Sequence, residues 1–174
     1  MDTADLAVIG ATQRGQLSTD DLNALTTAQW QAFSTEALAS ILPAQWSNVN
    51  AANLNALQSN QWASLTTNDL RALVSAQWAA METADLNAMT SGQWAAMASE
   101  DFRALSSAQW SRIDTDDLNA MGPLQWASME SQDLAALTTY QWYKMETADL
   151  QGLVGAQWVA MNADTLNEIG RAHV

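Results

Sequence analysis

Nine tryptophans, Trp30, Trp46, Trp62, Trp78, Trp94, Trp110, Trp126, Trp142 and Trp158, follow one another at an unbroken spacing of sixteen residues. Each is preceded by a glutamine: Gln29, Gln45, Gln61, Gln77, Gln93, Gln109, Gln125, Gln141 and Gln157. A period this strict marks a tandem array, whose units are too small to enclose a core alone and must stack on one another. It also excludes a single long helix. At ~100° per residue, sixteen residues return a side chain ~160° from its starting direction, so the tryptophans would wind around such a rod and share no face.

The sixteen-residue unit divides again into two octads built on one template. That template is Ser or Thr, any residue, Asp or Gln, a large apolar residue, any residue, Ala, a second large apolar residue, any residue. In the Leu octads the apolar pair is, for example, Leu22 with Leu25, Leu70 with Leu73 and Phe102 with Leu105. In the Trp octads Trp30 is followed by Phe33, Trp78 by Met81 and Trp94 by Met97. A strand would turn residues three apart to opposite faces. The filler residues, Ala, Leu, Met and Gln, favour helices. The spacing therefore predicts an all-α solenoid of helices about six residues long, Leu helix and Trp helix alternating. Helices this short are unstable in isolation and must stack. Thr19, Thr35, Thr67, Thr83, Ser99, Thr115, Ser131 and Thr147 are the predicted N-caps, and Pro43 and Pro123 suit the start of a helix. The number of helices per solenoid turn is left open. The array is expected to run through residues 1–174, with 1–17 and 162–174 as terminal units. Arg14 stands in the Trp position of the first. In the last, His173 stands where Gln belongs and Val174 where Trp belongs, and Leu166 and Ile169 are expected to be poorly covered. The stretch from Glu36 to Leu54 departs most from the template and is expected to be the weakest.

Each polar or aromatic row has a structural and a functional reading. Asp21, Asp69, Asp85, Asp101, Asp117, Asp133 and Asp149 fall in the first turn of a helix, where a carboxylate favours the dipole and the free N–H groups. The functional alternative is a cation site around Asp114, Asp116 and Asp117, although the glycine and distant glutamate of a calcium loop are missing. Thr26 with Gln29, and Ser106 with Gln109, have capping-box spacing. A ladder of glutamine amides running from rung to rung is the other reading. The tryptophans suit a buried stripe. An exposed row would instead offer flat platforms to a glycan or another extended polymer.

Composition narrows the function classes. Nineteen acidic residues against six basic ones give a net charge of −13, which disfavours nucleic acid and anionic membranes as partners. No apolar run is long enough to span a bilayer. The absence of cysteine removes disulfides, thiolate catalysis and cysteine metal sites. Catalysis needs a unique constellation, whereas this chain repeats the same residues at every rung, and its single histidine, His173, stands at the margin. No cofactor, metal or catalytic residue is expected. Asp5 and Leu6 are already in register, which leaves no room for a signal peptide. The expected location is the cytoplasm, or outside the cell by a route without one.

The segments Ala24-Leu25-Thr26-Thr27-Ala28-Gln29 and Ala136-Leu137-Thr138-Thr139 with Gln141 resemble octad tandem repeats of the type A-L-T-T-A-Q-[VIL]-x-A-L. Such repeats occur in some large bacterial surface and secreted proteins. The resemblance extends from about Thr3 to Ile169, with Trp where that pattern usually carries an aliphatic residue. The A-D-L fragments, such as Ala84-Asp85-Leu86, also look like pentapeptide repeats, but recurrence every sixteen residues rules that match out. The resemblance implies a bacterial source and a scaffold, adhesion or spacer role. The expectation is a non-enzymatic structural or interaction protein whose partner is another protein or a second copy, associating through the C-terminal face. A glycan held on the Trp row is the alternative.

Overall fold

The computed structural model describes Leu6 and residues 9–172, which leaves Asp5, His173 and Val174 outside the described residues. The backbone divides into two compact units, Met1–Met89 and Thr90–Val174. In the first, the helices are α1 (Ala11–Arg14), α2 (Thr19–Asn23), α3 (Thr27–Gln31), α4 (Thr35–Leu38), α5 (Pro43–Trp46), α6 (Ala51–Leu54), α7 (Ser59–Trp62), α8 (Thr67–Ala72), α9 (Ser75–Ala80) and α10 (Thr83–Leu86). In the second they are α11 (Ser91–Ala96), α12 (Ser99–Ala104), α13 (Ser107–Trp110), α14 (Thr115–Leu118), α15 (Pro123–Ser128), α16 (Ser131–Ala136), α17 (Thr139–Lys144), α18 (Thr147–Gly152), α19 (Gly155–Ala160) and α20 (Ala163–Ala172). No strand occurs among the described residues. Each unit is a solenoid of short helices.

The six-residue helices end in a pair of extended residues, whereas the four- and five-residue helices close on a cap that is still right-handed helical, such as Asn55 and Ala24. After α8, Leu73 (φ −64°, ψ 144°) and Val74 (φ −99°, ψ 160°) both leave the helical region, and α9 then starts. Such angles are open to any L-residue. Among the described residues no backbone has positive φ, so the repeated reversal needs no glycine. The second apolar residue of the octad is the first of this extended pair, and Leu73, Met81, Met97 and Leu105 are all buried.

The helices start one residue earlier than the template suggests. In the Leu octads the N-caps are Ser18, Ser34, Thr66, Glu82, Asp114, Glu130 and Glu146, while Thr19, Thr35, Thr67, Thr83, Thr115, Ser131 and Thr147 are the first helical residues. Ser99 shifts likewise, behind the N-cap Ala98. The physical reason is the reach of the acidic side chain, which folds back three residues: Asp69 accepts the Thr66 N–H at 2.9 Å and Asp149 the Glu146 N–H at 2.9 Å. Pro43 and Pro123 occupy the first helical position, as expected. In the stretch from Glu36 to Leu54, Ser34 and Asn50 take over capping of the Ala37 and Asn53 N–H groups, each by its side chain.

Within each unit, helices pack against the third one after them. In the first unit α5 meets α8 and α6 meets α9; in the second, α13 meets α16 and α15 meets α18. Three is odd, so a Leu helix always lies over a Trp helix. The long helix α20 closes over α17 and buries Ile169, which is 8% exposed, correcting the expectation that this residue lies uncovered. Leu166, on the same helix, is 43% exposed.

Candidate functional site: the tryptophan, glutamine and aspartate rows

Eight of the indoles, from Trp30 to Trp142, are at most 1% exposed. Successive rings touch within the core: Trp30 and Trp46 have ring centroids 6.1 Å apart, and Trp94 and Trp110 6.4 Å apart. Phe102, in a Leu octad, fills the gap between Trp94 and Trp110 at 6.0 and 5.7 Å. At ~150–250 Å² per side chain, each buried indole contributes about 4–6 kcal/mol before the entropy of ordering is subtracted. The row therefore lies inside, and the alternative of an exposed tryptophan platform for a glycan is corrected. Trp158 is half-buried. The exposed aromatic rings among the described residues are instead Tyr140 and Tyr143, with the Lys144 ammonium 5.8 and 5.9 Å from their centroids.

The glutamines combine the two readings of their row. Each Oε1 accepts the N–H of its own helix's N-cap: Leu42 to Gln45 at 2.6 Å, Val74 to Gln77 at 2.7 Å, Thr138 to Gln141 at 2.7 Å. The Nε2 reaches back two repeats. Gln61 donates to the carbonyls of Trp30 and Phe33 at 2.9 and 2.8 Å. Gln77 donates to Trp46 and Val49 at 2.8 and 2.7 Å, and Gln141 to Trp110 and Ile113 at 2.9 and 2.8 Å. Gln125 and Gln157 repeat the pattern on Trp94 with Met97 and on Trp126 with Met129. The ladder thus runs from amide to backbone carbonyl and not from amide to amide. Of the two acceptors, the Trp carbonyl also takes the local backbone N–H three residues on, from Val49 to Trp46 and from Ile113 to Trp110, so the amide adds a second bond there. Helices stack on the third neighbour and are tied to the fourth, so one turn holds between three and four helices.

A second set of ties escaped the sequence reading. The residue after the Leu-octad apolar position donates outward to a later turn: Asn23 to the Asn48 carbonyl at 3.0 Å, Asn55 to Ala80 at 3.0 Å, Arg103 to Ser128 at 3.2 Å and Asn119 to Lys144 at 3.2 Å. The signal was present, because Asn23, Asn55, Asn87 and Asn119 recur every 32 residues. At the first unit's beginning, Arg14 takes the Trp position and is held by the Ser40 hydroxyl at 2.8 Å and by the Ile9 carbonyl.

The aspartates occupy the equivalent of the glutamine position in the Leu helices, but a carboxylate has no N–H to extend the ladder. Asn53, which replaces Asp, does extend it, donating to the Leu22 carbonyl at 3.3 Å. The indole of Trp126 donates to Asp149 at 3.2 Å. The Nε1 atoms of Trp30, Trp46, Trp94, Trp110 and Trp142 are buried without a hydrogen-bond partner. Burial, reinforced by the Glu82 charge, raises the Asp85 carboxyl to about 6. Burial with Asp114 and Asp116 beside it raises Asp117 to about 7. Asp133 and Asp149 are also raised, burial being the main cause. Around Asp114, Asp116 and Asp117, as elsewhere among the described residues, no group of three or more acidic or histidine side chains is arranged to hold a metal ion. No helix among the described residues is long and apolar enough to cross a membrane.

Residues 63–99 match the family model described as the ALTTAQ repeat, the same repeat that the octads resemble. The sixteen-residue period continues on both sides of that segment. No curated protein and no solved structure matches the chain.

Proposed function

We propose that this chain is a non-enzymatic structural repeat protein, a scaffold, spacer or assembly module. The observation that carries the reading is the use of the Gln row: both ends of the side-chain amide serve the stacking of turns, Oε1 on its own helix start and Nε2 on carbonyls two repeats earlier. With the indoles buried as well, the repeated side chains act on the array itself, and length is the property that adding repeats changes. Excision of one sixteen-residue repeat, Thr66–Met81, tests this. A modular spacer keeps its helical circular dichroism and cooperative unfolding, because Leu-over-Trp alternation survives removal of two octads. Loss of folding would overturn the modular reading.

A second copy of the chain is the partner favoured by the surface of the second unit. Val154 (45%), Val159 (88%) and Leu166 (43%) are exposed there and Trp158 is half-buried, an apolar surface that self-association would cover. Light scattering over a concentration series should register association that Leu166→Asp abolishes. A strict monomer at ~100 µM would remove self-assembly from the proposal.

A further inference from the structure

The most conspicuous polar feature outside the glutamine ladder is the acidic row built into the wall of the solenoid. Asp69, Asp85, Asp101, Asp117, Asp133 and Asp149 recur every sixteen residues and are each at most 8% exposed. Their surroundings differ in one respect. Where the N-cap is Thr66, its hydroxyl donates to Asp69 at 2.6 Å, in addition to the backbone N–H. At Asp85, Asp117, Asp133 and Asp149 the N-cap is Glu82, Asp114, Glu130 or Glu146, and none of these gives a side-chain cap bond. The cap side chain there brings a second negative charge in place of a hydroxyl donor, while the cap backbone still donates, as Glu146 does to Asp149 at 2.9 Å.

The turn that lies against these carboxyls adds little. Asp149 receives the Trp126 indole N–H and Asp133 the Ser107 hydroxyl at 2.9 Å, while one oxygen of Asp85, Oδ2, is buried without a hydrogen-bond partner. Asp117 lies on α14, packed against α11, whose Trp94 Nε1 is buried without a partner. The charged groups that act on the four carboxyls are all acidic: Glu82 on Asp85, Asp114 and Asp116 on Asp117, Glu130 on Asp133, Glu146 on Asp149. The turns packed against them contribute Trp62 to Asp85, Ser107 to Asp133 and Trp126 to Asp149, all uncharged.

We propose that Asp85, Asp117, Asp133 and Asp149 form an acid-responsive device: protonation of these wall carboxyls tightens the stacking of turns and ionisation loosens it. A neutral carboxyl removes the like-charge pair with the cap and the burden of a buried charge, and its O–H becomes a donor where the wall offers acceptors. The direction in solution follows from linkage. Asp85 at about 6 and Asp117 at about 7 hold protons where an unfolded aspartate, near 3.8, has lost them. The folded state therefore binds more protons between pH ~4 and ~7, and stability rises as pH falls through that window. Below it the sense reverses, because Asp21 and Glu36 carry lowered values and their contribution is lost as they protonate.

The test is thermal unfolding of the full chain followed by circular dichroism from about pH 8 to about pH 5. The unfolding midpoint should rise on acidification. The control is the double variant Asp85→Asn, Asp117→Asn, which the fold accommodates because Asn53 already occupies the equivalent position and bonds to Leu22. At about pH 8 it should unfold at a higher temperature than the parent, and its midpoint should vary less with pH. A parent midpoint that is flat or falls on acidification overturns the proposal. So does a double variant that keeps the parent's full pH response.

Discussion

Removing one rung of the glutamine ladder should be among the most damaging near-isosteric changes this chain can suffer. Gln141→Leu keeps the volume and removes the amide. In the parent, Gln141 is 4% exposed, accepts the Thr138 N–H at 2.7 Å and donates to the carbonyls of Trp110 and Ile113. The Trp110 carbonyl retains a bond from the Ile113 N–H at 3.3 Å, so it is left only partly unsatisfied. The Ile113 carbonyl loses a buried partner and the Thr138 N–H a partly buried one, at up to about 1–3 kcal/mol per group, the larger share at Ile113. Leucine recovers part of this by its extra apolar burial, which leaves a net loss of about 2–4 kcal/mol. Gln141→Glu separates the two halves of the amide: it retains the acceptor for Thr138 but places a carboxylate against two carbonyls, and should be worse at neutral pH than in acid. Urea unfolding followed by circular dichroism measures both variants. A loss below about 0.5 kcal/mol for Gln141→Leu would put the residue in the class of ordinary surface positions and refute the ladder as a source of stability.

Two further changes probe the core and its tightest approach. Trp94→Ala should cost about 3–5 kcal/mol and weaken the α12 and α13 helices that carry its ring partners Phe102 and Trp110; a cost near zero would place Trp94 outside the core. Gly152→Ala should cost about 1–3 kcal/mol, since a Cβ there would stand 2.8 Å from the Pro123 Cα and 3.1 Å from the Pro123 carbonyl oxygen. Ala72, at the equivalent place over Pro43, should by contrast gain nothing from replacement by glycine, and equal responses at the two sites would contradict the packing argument.

The sequence carried local information well and long-range information poorly. The i, i+3 apolar pairs, the helix-forming filler and the Thr26/Gln29 spacing are all contained within one octad, so the short helix and the glutamine cap could be read from Trp30 or Trp94 and their neighbours. The stacking offset could not. A sixteen-residue period is compatible with several numbers of helices per turn. The actual number depends on how residues such as Leu73 and Val74 redirect the chain, a matter of backbone angles that leaves no mark in residue type. The far partners of Gln61 and Gln141 lie 31 and 28 residues back for the same reason. The N-caps of the Leu octads were misplaced because Thr and Ser recur at the first helical position, while the caps themselves are often Glu82, Glu130 or Glu146, whose side chains make no cap bond. Ile169 could not be seen as buried because the added length of α20, not the octad template, brings it onto α17.

Core and glutamine ladder both require the tryptophan row to lie inside the stack, and fluorescence of the native chain under iodide quenching tests that directly. Eight indoles with at most 1% exposure and a half-buried Trp158 should give blue-shifted emission in which only a minor component is quenched. Red-shifted emission from a fully quenchable population would mean that the indoles face solvent, which contradicts both a tryptophan core and a glutamine ladder tied across it.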